Sequence, residues 1–312
     1  MSEFPALVGL MTGQGLDADR PDRSNVNAAP GVYPNTVPVD NLRLPDALTI
    51  EHGPSRFLAH FILEGDKAAR RMDVRLRLRH DFKELAYINQ KHTRSASWYP
   101  LIDALDPEVA DLAPENSFWL SGENSAGDVV TTWVARIYDW RGTNLAEQAR
   151  TLWYGRDLGQ PCEITADAAT LISGVVVVGG AFWVRPDFRG KHLSFLVPRI
   201  GKAYACARWP IDWSFCYIGI DNVRKGLAAN YGQKYLSYSV LYPGSPQGEQ
   251  VIAYTPIQEV YEDFANFIAV EGEGARGGSA DFGSAFAAST SREHIVTNTS
   301  SVGVLHGSNK RS

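Results

Sequence analysis

The residues with the clearest chemical potential lie together at 179–194, Gly-Gly-Ala-Phe-Trp-Val-Arg-Pro-Asp-Phe-Arg-Gly-Lys-His-Leu-Ser. An apolar, β-branched run stops at Pro186, and a short Arg189-Gly190-Lys191 bend leads into a helical pattern. The first amides of a helix have no intrahelical acceptor. A strand–loop–helix junction therefore turns bare N–H groups outward, where they can cradle a diphosphate. Gly190 lets the backbone approach an anion closely, and Arg189 and Lys191 add positive charge. The same residues also suit a plain turn with solvated basic side chains. Two further features bear on the choice. Gly179-Gly180 interrupts the valine run, and glycine inside a strand marks a bulge or a close approach. A bulge here would splay the strand from its neighbour and open its backbone to a ligand's amides. After the next strand, residues 222–232 read as a helix capped by Asn222 and finishing on Tyr231-Gly232.

The elements that must position these residues follow from periodicity. Val74, Leu76 and Leu78 alternate with Arg75, Arg77 and Arg79, which gives a half-buried strand. Residues 82–90 and 100–112 read as helices, and 118–122 with 129–139 as a hairpin. Residues 171–184 are almost all apolar, the pattern of a strand covered on both faces. Leu193, Leu196, Val197, Ile200, Tyr204 and Ala207 form one helical stripe. Strands at 213–220, 236–242 and 251–255 and a helix at 257–270 complete a mixed α/β order. Residues 1–45 read as an extended arm rich in Pro, Asn and Gly. Residues 46–270 carry the folded domain, and 271–312 read as a flexible tail rich in Gly and Ser.

Composition narrows the function classes. Across 312 residues, 30 Lys and Arg against 35 Asp and Glu give a net charge of −5, which disfavours a dedicated nucleic-acid binder. The apolar share of 44% supports a sizeable core. Three cysteines without CxxC spacing form neither a disulfide framework nor a zinc site, and point to a reducing, cytoplasmic setting. No apolar run is long enough to span a bilayer and the N-terminus lacks a signal-peptide pattern, so no membrane association is expected. The histidines lack metal-ligand spacing, so no metal is expected.

Val184, Pro186, Arg189 and Gly190, followed by Lys191-His192-Leu193-Ser194, resemble the V-x-P-x-x-R-G-x-G-x-A segment of the GNAT N-acyltransferase superfamily. Asn222, Tyr231 and Gly232 echo that family's later Asn, Tyr and Gly, and the element order is similar over residues 70–255. The resemblance implies a mixed, mostly antiparallel sheet flanked by helices, with a splayed central strand. It also implies acyl-coenzyme A, acetyl or another, lying in the gap beside that strand. Arg189, Gly190, Lys191, His192, Leu193 and Ser194 would then hold the diphosphate, with the pantetheine arm along Phe182, Trp183 and Val184 and with Asn222 nearby. The implied reaction is direct acyl transfer to an amine on a small molecule or protein, with Tyr231 protonating the leaving thiolate.

The chain also departs from that pattern. His192 replaces the family's second glycine, Pro198 falls early in the helix, and Tyr231 is nearer to Asn222 than usual. The strand lacks the carboxylate that serves some relatives as general base. Glu123 in the hairpin loop, Asp139 at its end, Asp212 and His192 are the candidate bases, and none is privileged by the sequence. These departures also fit a GNAT-like binding or regulatory protein without catalysis. Aminoacyl transfer from charged tRNA uses the same kind of fold, and the acidic balance disfavours it. For other residues the expectation is structural: a solvated face for Arg75, Arg77 and Arg79, core packing for Trp98, Trp119, Trp133, Trp140 and Trp153, and buried inert thiols for Cys206 and Cys216.

Overall fold

The valine run forms the middle of one large sheet. A computed structural model describes residues 41–95, 97–155, 159, 161–243, 247–276 and 296–297. Among these residues are ten strands: β1 (Leu42–Arg43), β2 (Arg75–Arg79), β3 (Ser117–Glu123), β4 (Val129–Trp140), β5 (Glu163–Ile164), β6 (Gly174–Val184), β7 (Trp213–Gly219), β8 (Tyr235–Leu241), β9 (Glu249–Pro256) and β10 (Val296–Thr297). Their order is β1-β2-β3-β4-β6-β7-β9-β8-β10, with β5 beside β8. All neighbours run antiparallel except β6 with β7 and β8 with β10. The sheet is therefore mixed and mostly antiparallel.

Alternation along β6 feeds two cores. Val175 and Val177 face a cluster built from the helices α1 (Ser55–Arg71), α4 (Leu193–Arg208) and α7 (Ile257–Arg276). Val176 and Val178 face a second cluster with Trp140, Leu152 and Trp153, closed by the helix α3 (Leu145–Tyr154). The helix α2 (Phe82–Arg94) starts at Asp81, whose carboxylate accepts the amides of Lys83 and Glu84. Helix α4 lies tight on the sheet. A Cβ on Gly201 would come within 2.1 Å of the Trp133 ring, so only glycine fits there.

Several elements differ from expectation. The 100–112 segment is not a helix, because Pro107 interrupts it and only a single 3₁₀ turn, Asp103–Leu105, forms. Helix 222–231 is two short ones, α5 (Ile220–Arg224) and α6 (Leu227–Asn230), separated by Gly226 at φ +80°. Asn222 lies inside α5 and Gly219 occupies its N-cap, so Asn222 is not the cap. The arginine strand is a solvated face only at Arg75, which is exposed, while Arg77 is half-buried. Arg79 is buried, bonded to Ser121 Oγ at 2.9 Å and paired with Glu84 and Glu123. Helices α1 and α3 are additional to the sequence reading. Residues 42–43 of the expected arm pair with β2, and 296–297 of the expected tail pair with β8. The rest of the arm up to residue 40, and of the tail beyond residue 276, lies outside the described residues.

Candidate functional site

Strands β6 and β7 pair over only three positions, Val176, Val177 and Val178 against Trp213, Ser214 and Phe215. Beyond Val178 the two strands part. The cause is local to β6, where the register with β4 slips: Val134 faces Gly180 while Thr132 faces Trp183. Ala181 and Phe182 thus oppose the single residue Trp133, a bulge, and Ala181 takes φ +46° to make it. The glycine doublet lies just before the bulge. Gly179 serves a close approach instead, since a Cβ there would stand 2.9 Å from the Trp133 ring. The carbonyls of Ala181 and Trp183 turn toward β4, accepting from the hydroxyls of Thr132 (2.8 Å) and Thr131 (2.7 Å). Phe182, between them, lines the gap left by β7.

A pocket of about 280 Å³ fills this gap. Its walls are Val178, Gly179, Gly180, Ala181 and Phe182 on β6 and Ser214, Cys216, Tyr217, Ile218 and Gly219 on β7. Pro198 and Lys202 reach it from α4, and Trp98 through Ile102 close it from the opposite face. Tyr231 and Asn222 line it as well. The Tyr231 ring meets Phe182 edge-on at 5.1 Å, and burial raises its hydroxyl far above the ordinary phenol value. The phenol therefore holds its proton, as a proton donor must. Cys216 is likewise pushed up to about 12 by burial, and Cys206 to about 12, consistent with inert thiols. The tryptophans divide between roles. Trp119 and Trp140 are wholly buried, whereas Trp98, Trp133 and Trp153 also face the pocket.

The junction after β6 forms a second feature. Gly190 takes φ +81° with no atom within 4 Å of a would-be Cβ, so its backbone is open to an incoming group. His192 takes the left-handed conformation at φ +57° and occupies the N-cap of α4 without a side-chain cap bond. The first amide of α4 to find a carbonyl is that of Phe195, at 2.9 Å from His192. Among the described residues no carbonyl accepts from the amides of Gly190, Lys191, Leu193 or Ser194. Arg189 leans back, donating to the carbonyls of Val184 (3.3 Å) and Ser97 (3.1 Å). The Lys191 ammonium lies 4.1 Å from the centroid of the Phe188 ring. Pro198 does not break α4, which runs from Leu193 through it.

The expected residues thus fall into three groups. Phe182, Asn222 and Tyr231 meet at the pocket, and Arg189, Gly190, Lys191, His192, Leu193 and Ser194 gather at the α4 N-terminus, linked to it along β6. Val184 lies between them, with its carbonyl held by Arg189. Trp183 turns to the other face, 4.1 Å from His92 and stacked at 5.2 Å on Trp98. Glu123 is elsewhere. It is buried on β3 between Arg77 (Nε to Oε2, 2.8 Å) and Arg79, away from the pocket lining, so its carboxylate serves the sheet. Asp139 is bonded to Arg141, and Asp212 accepts the Val175 amide at 2.8 Å. The sequence reading overlooks Lys202, Gln233 and Gln250. A lysine four residues after Pro198, set between Gly201 and Ala203 on a helix otherwise packed in the core, is the signal that could have found the first.

The strand order, the divergence of β6 from β7 and the open strand–loop–helix junction make this fold GNAT-like. No family model matches the chain, and no curated protein does. Among solved structures it is similar to FeeM, an N-acyl amino acid synthase from uncultured soil microbes, at 12% identity over 60% of this chain and 93% of that one, TM-score 0.37. It is also similar to the GNAT domain of S. lividans PAT, at 14% identity over 58% and 90%, TM-score 0.34. A third is AAC(6')-Ib in complex with parmomycin and acetyl-CoA, at 16% identity over 60% and 95%, TM-score 0.35. Among the described residues no helix is long and apolar enough to cross a membrane.

Proposed function

We propose that this protein is a GNAT-type N-acyltransferase that moves an acyl group from acyl-coenzyme A, acetyl or longer, directly to an amine on a small molecule or protein in the cytoplasm. The observation that carries this reading is the pocket where β6 leaves β7, with the open backbone at Gly190 further along the same strand–loop–helix segment. The amides at 190, 191, 193 and 194 would receive the diphosphate, and the edge groups of Phe182 would pair with the amides of the pantetheine arm. The thioester would then lie among Phe182, Tyr231 and Asn222. Acyl transfer needs the reacting atoms held in contact, the ammonium of the acceptor deprotonated and the departing thiolate protonated. Tyr231, with its proton firmly held, suits the last step.

The lining offers little for the deprotonation. Among the described residues its sole carboxylate, Asp221, is exposed and accepts from Arg224 at 3.0 Å. This favours a second reading, a GNAT-like module that binds acyl-coenzyme A without turning it over. One experiment separates the two. Titration calorimetry with acetyl-coenzyme A should give saturable heat, and release of free thiol in the presence of a panel of primary amines should mark catalysis. Heat without release supports the binding module. Absence of heat rejects both.

A further inference from the structure

Lys202 is an oddity in the wall of this pocket. It is fully buried, at 2% exposure, on the face of α4 that also carries Pro198 into the gap. Its ammonium donates to one backbone carbonyl, that of Gly232 at 2.8 Å, between the pocket residues Tyr231 and Gln233. Among the described residues no carboxylate comes within ion-pair distance of it. The nearby acid Asp263 is engaged with Arg199, through bonds of 2.8 and 3.0 Å. Neighbouring side chains do not compensate. Gln233 donates its amide nitrogen to the Cys216 sulfur at 3.7 Å, and its oxygen accepts from the Thr255 hydroxyl at 2.9 Å. Arg199 adds a second positive charge.

A buried cation without a counter-charge is costly, and proteins retain one where an anion arrives or where the group loses its proton. Burial lowers Lys202 only to about 8, so at neutral pH the ammonium remains the major form. Three donor hydrogens face one acceptor, leaving two for a partner entering from the pocket.

We infer that the substrate drawn into this pocket carries a carboxylate, and that Lys202 is the residue that receives it. The inference rests on the acyltransferase reading for the identity of the pocket and adds a chemical class to it. The carboxylate has two sources: the far end of a dicarboxylic acyl chain on coenzyme A, or the acceptor amine itself, as in an amino acid. Either would convert the lone ammonium into a desolvated, hydrogen-bonded ion pair. Neutral acyl chains and neutral amines would leave it uncompensated.

Calorimetry on the full chain tests this with matched probes. Coenzyme A alone comes first. Succinyl-coenzyme A is then compared with butyryl-coenzyme A, and, on protein saturated with coenzyme A, a series of amino acids with the corresponding amino-acid amides. Each pair is repeated on Lys202→Met, which keeps an unbranched side chain one atom shorter and removes the charge. In the wild type one pair should favour the carboxylate by roughly 30-fold or more, the low end of what a buried charge pair confers. In Lys202→Met that preference should vanish while coenzyme A binds as before. The pair that discriminates identifies the source. Equal binding within both pairs on wild-type protein that binds coenzyme A overturns this inference and leaves the acyltransferase reading standing. A preference that survives in Lys202→Met overturns it too. No binding of coenzyme A overturns the parent reading, and this one with it. Should Lys202→Met fail to fold, Lys202→Gln, which retains a donor to Gly232, takes its place with the same expected loss of preference.

Discussion

Substituting Gly190 separates backbone geometry from electrostatics at the proposed diphosphate cradle. Gly190 sits at φ +81°, where an L-residue costs about 1–2 kcal/mol, and a Cβ there meets no protein atom within 4 Å. Gly190→Ala should therefore cost only that strain, visible as a small drop in Tm. Gly190→Glu carries the same strain and adds a carboxylate at the rim of the cradle. A single charge about 4 Å from one charge of a diphosphate is repelled by roughly 4 kcal/mol at an effective dielectric of 20, and salt screening reduces this at an exposed site. The glutamate variant should bind coenzyme A roughly 100-fold more weakly than the alanine variant, with the gap narrowing as ionic strength rises. Titration calorimetry at two salt concentrations, with circular dichroism to verify folding, reads both quantities. Equal affinities for the two folded variants would refute the placement of the anion at these amides.

Other expectations follow from the same geometry. Tyr231→Phe retains the ring contact with Phe182 and removes the proton donor, so thiol release should fall by roughly 100-fold or more with coenzyme A affinity unchanged. Glu123→Gln should leave coenzyme A binding intact and lower unfolding stability by about 1.5–3 kcal/mol in urea, because Arg77 and Arg79 lose a charged acceptor. Gly201→Ala would stabilise an ordinary helix by about 1 kcal/mol. Here it should destabilise by about 1–3 kcal/mol, since the new methyl drives into Trp133. Cys206, raised to about 12, presents roughly one thiolate in ten thousand at pH 8 and should resist alkylation in the native protein, with labelling appearing only on unfolding, as followed by mass spectrometry.

The central architecture was legible because burial leaves a strong imprint. A run such as Val175 to Val178 has few alternatives to a strand covered on both faces, and the Arg189-Gly190-Lys191 bend identified the junction behind it. Helix α3 is equally legible in principle, since Asn144 accepts the Glu147 amide and Gly155 closes the helix at φ +71°, but the sequence reading assigns no element there. Helix α1 offered less, because Pro54 caps it without a side-chain bond. The bulge moved off the glycines because its position is fixed by Trp133, which needs Gly179 and Gly201 bare to fit between β6 and α4. Glu123 illustrates the limit of reading carboxylates singly. Its role was decided by Arg77 and Arg79 arriving beside it from a strand some 45 residues away, a pairing that local pattern does not encode. Lys202 was hidden for the complementary reason, since helix α4 is covered nearly all round and no stripe distinguishes its polar positions.

Three residue pairs are a short seam on which to hang the two halves of so wide a sheet. Elsewhere along β6 and β7 the hydrogen-bond ladder is forfeited, and the join relies on Trp133 wedged against α4 and on Asp212 tying the start of β7 to Val175. The amides flanking this seam should be the first in the sheet to exchange with heavy water. A molecule lying along β6 beyond Val178 would act as a substitute strand, stitching the halves together, and its arrival should slow that exchange on both sides at once.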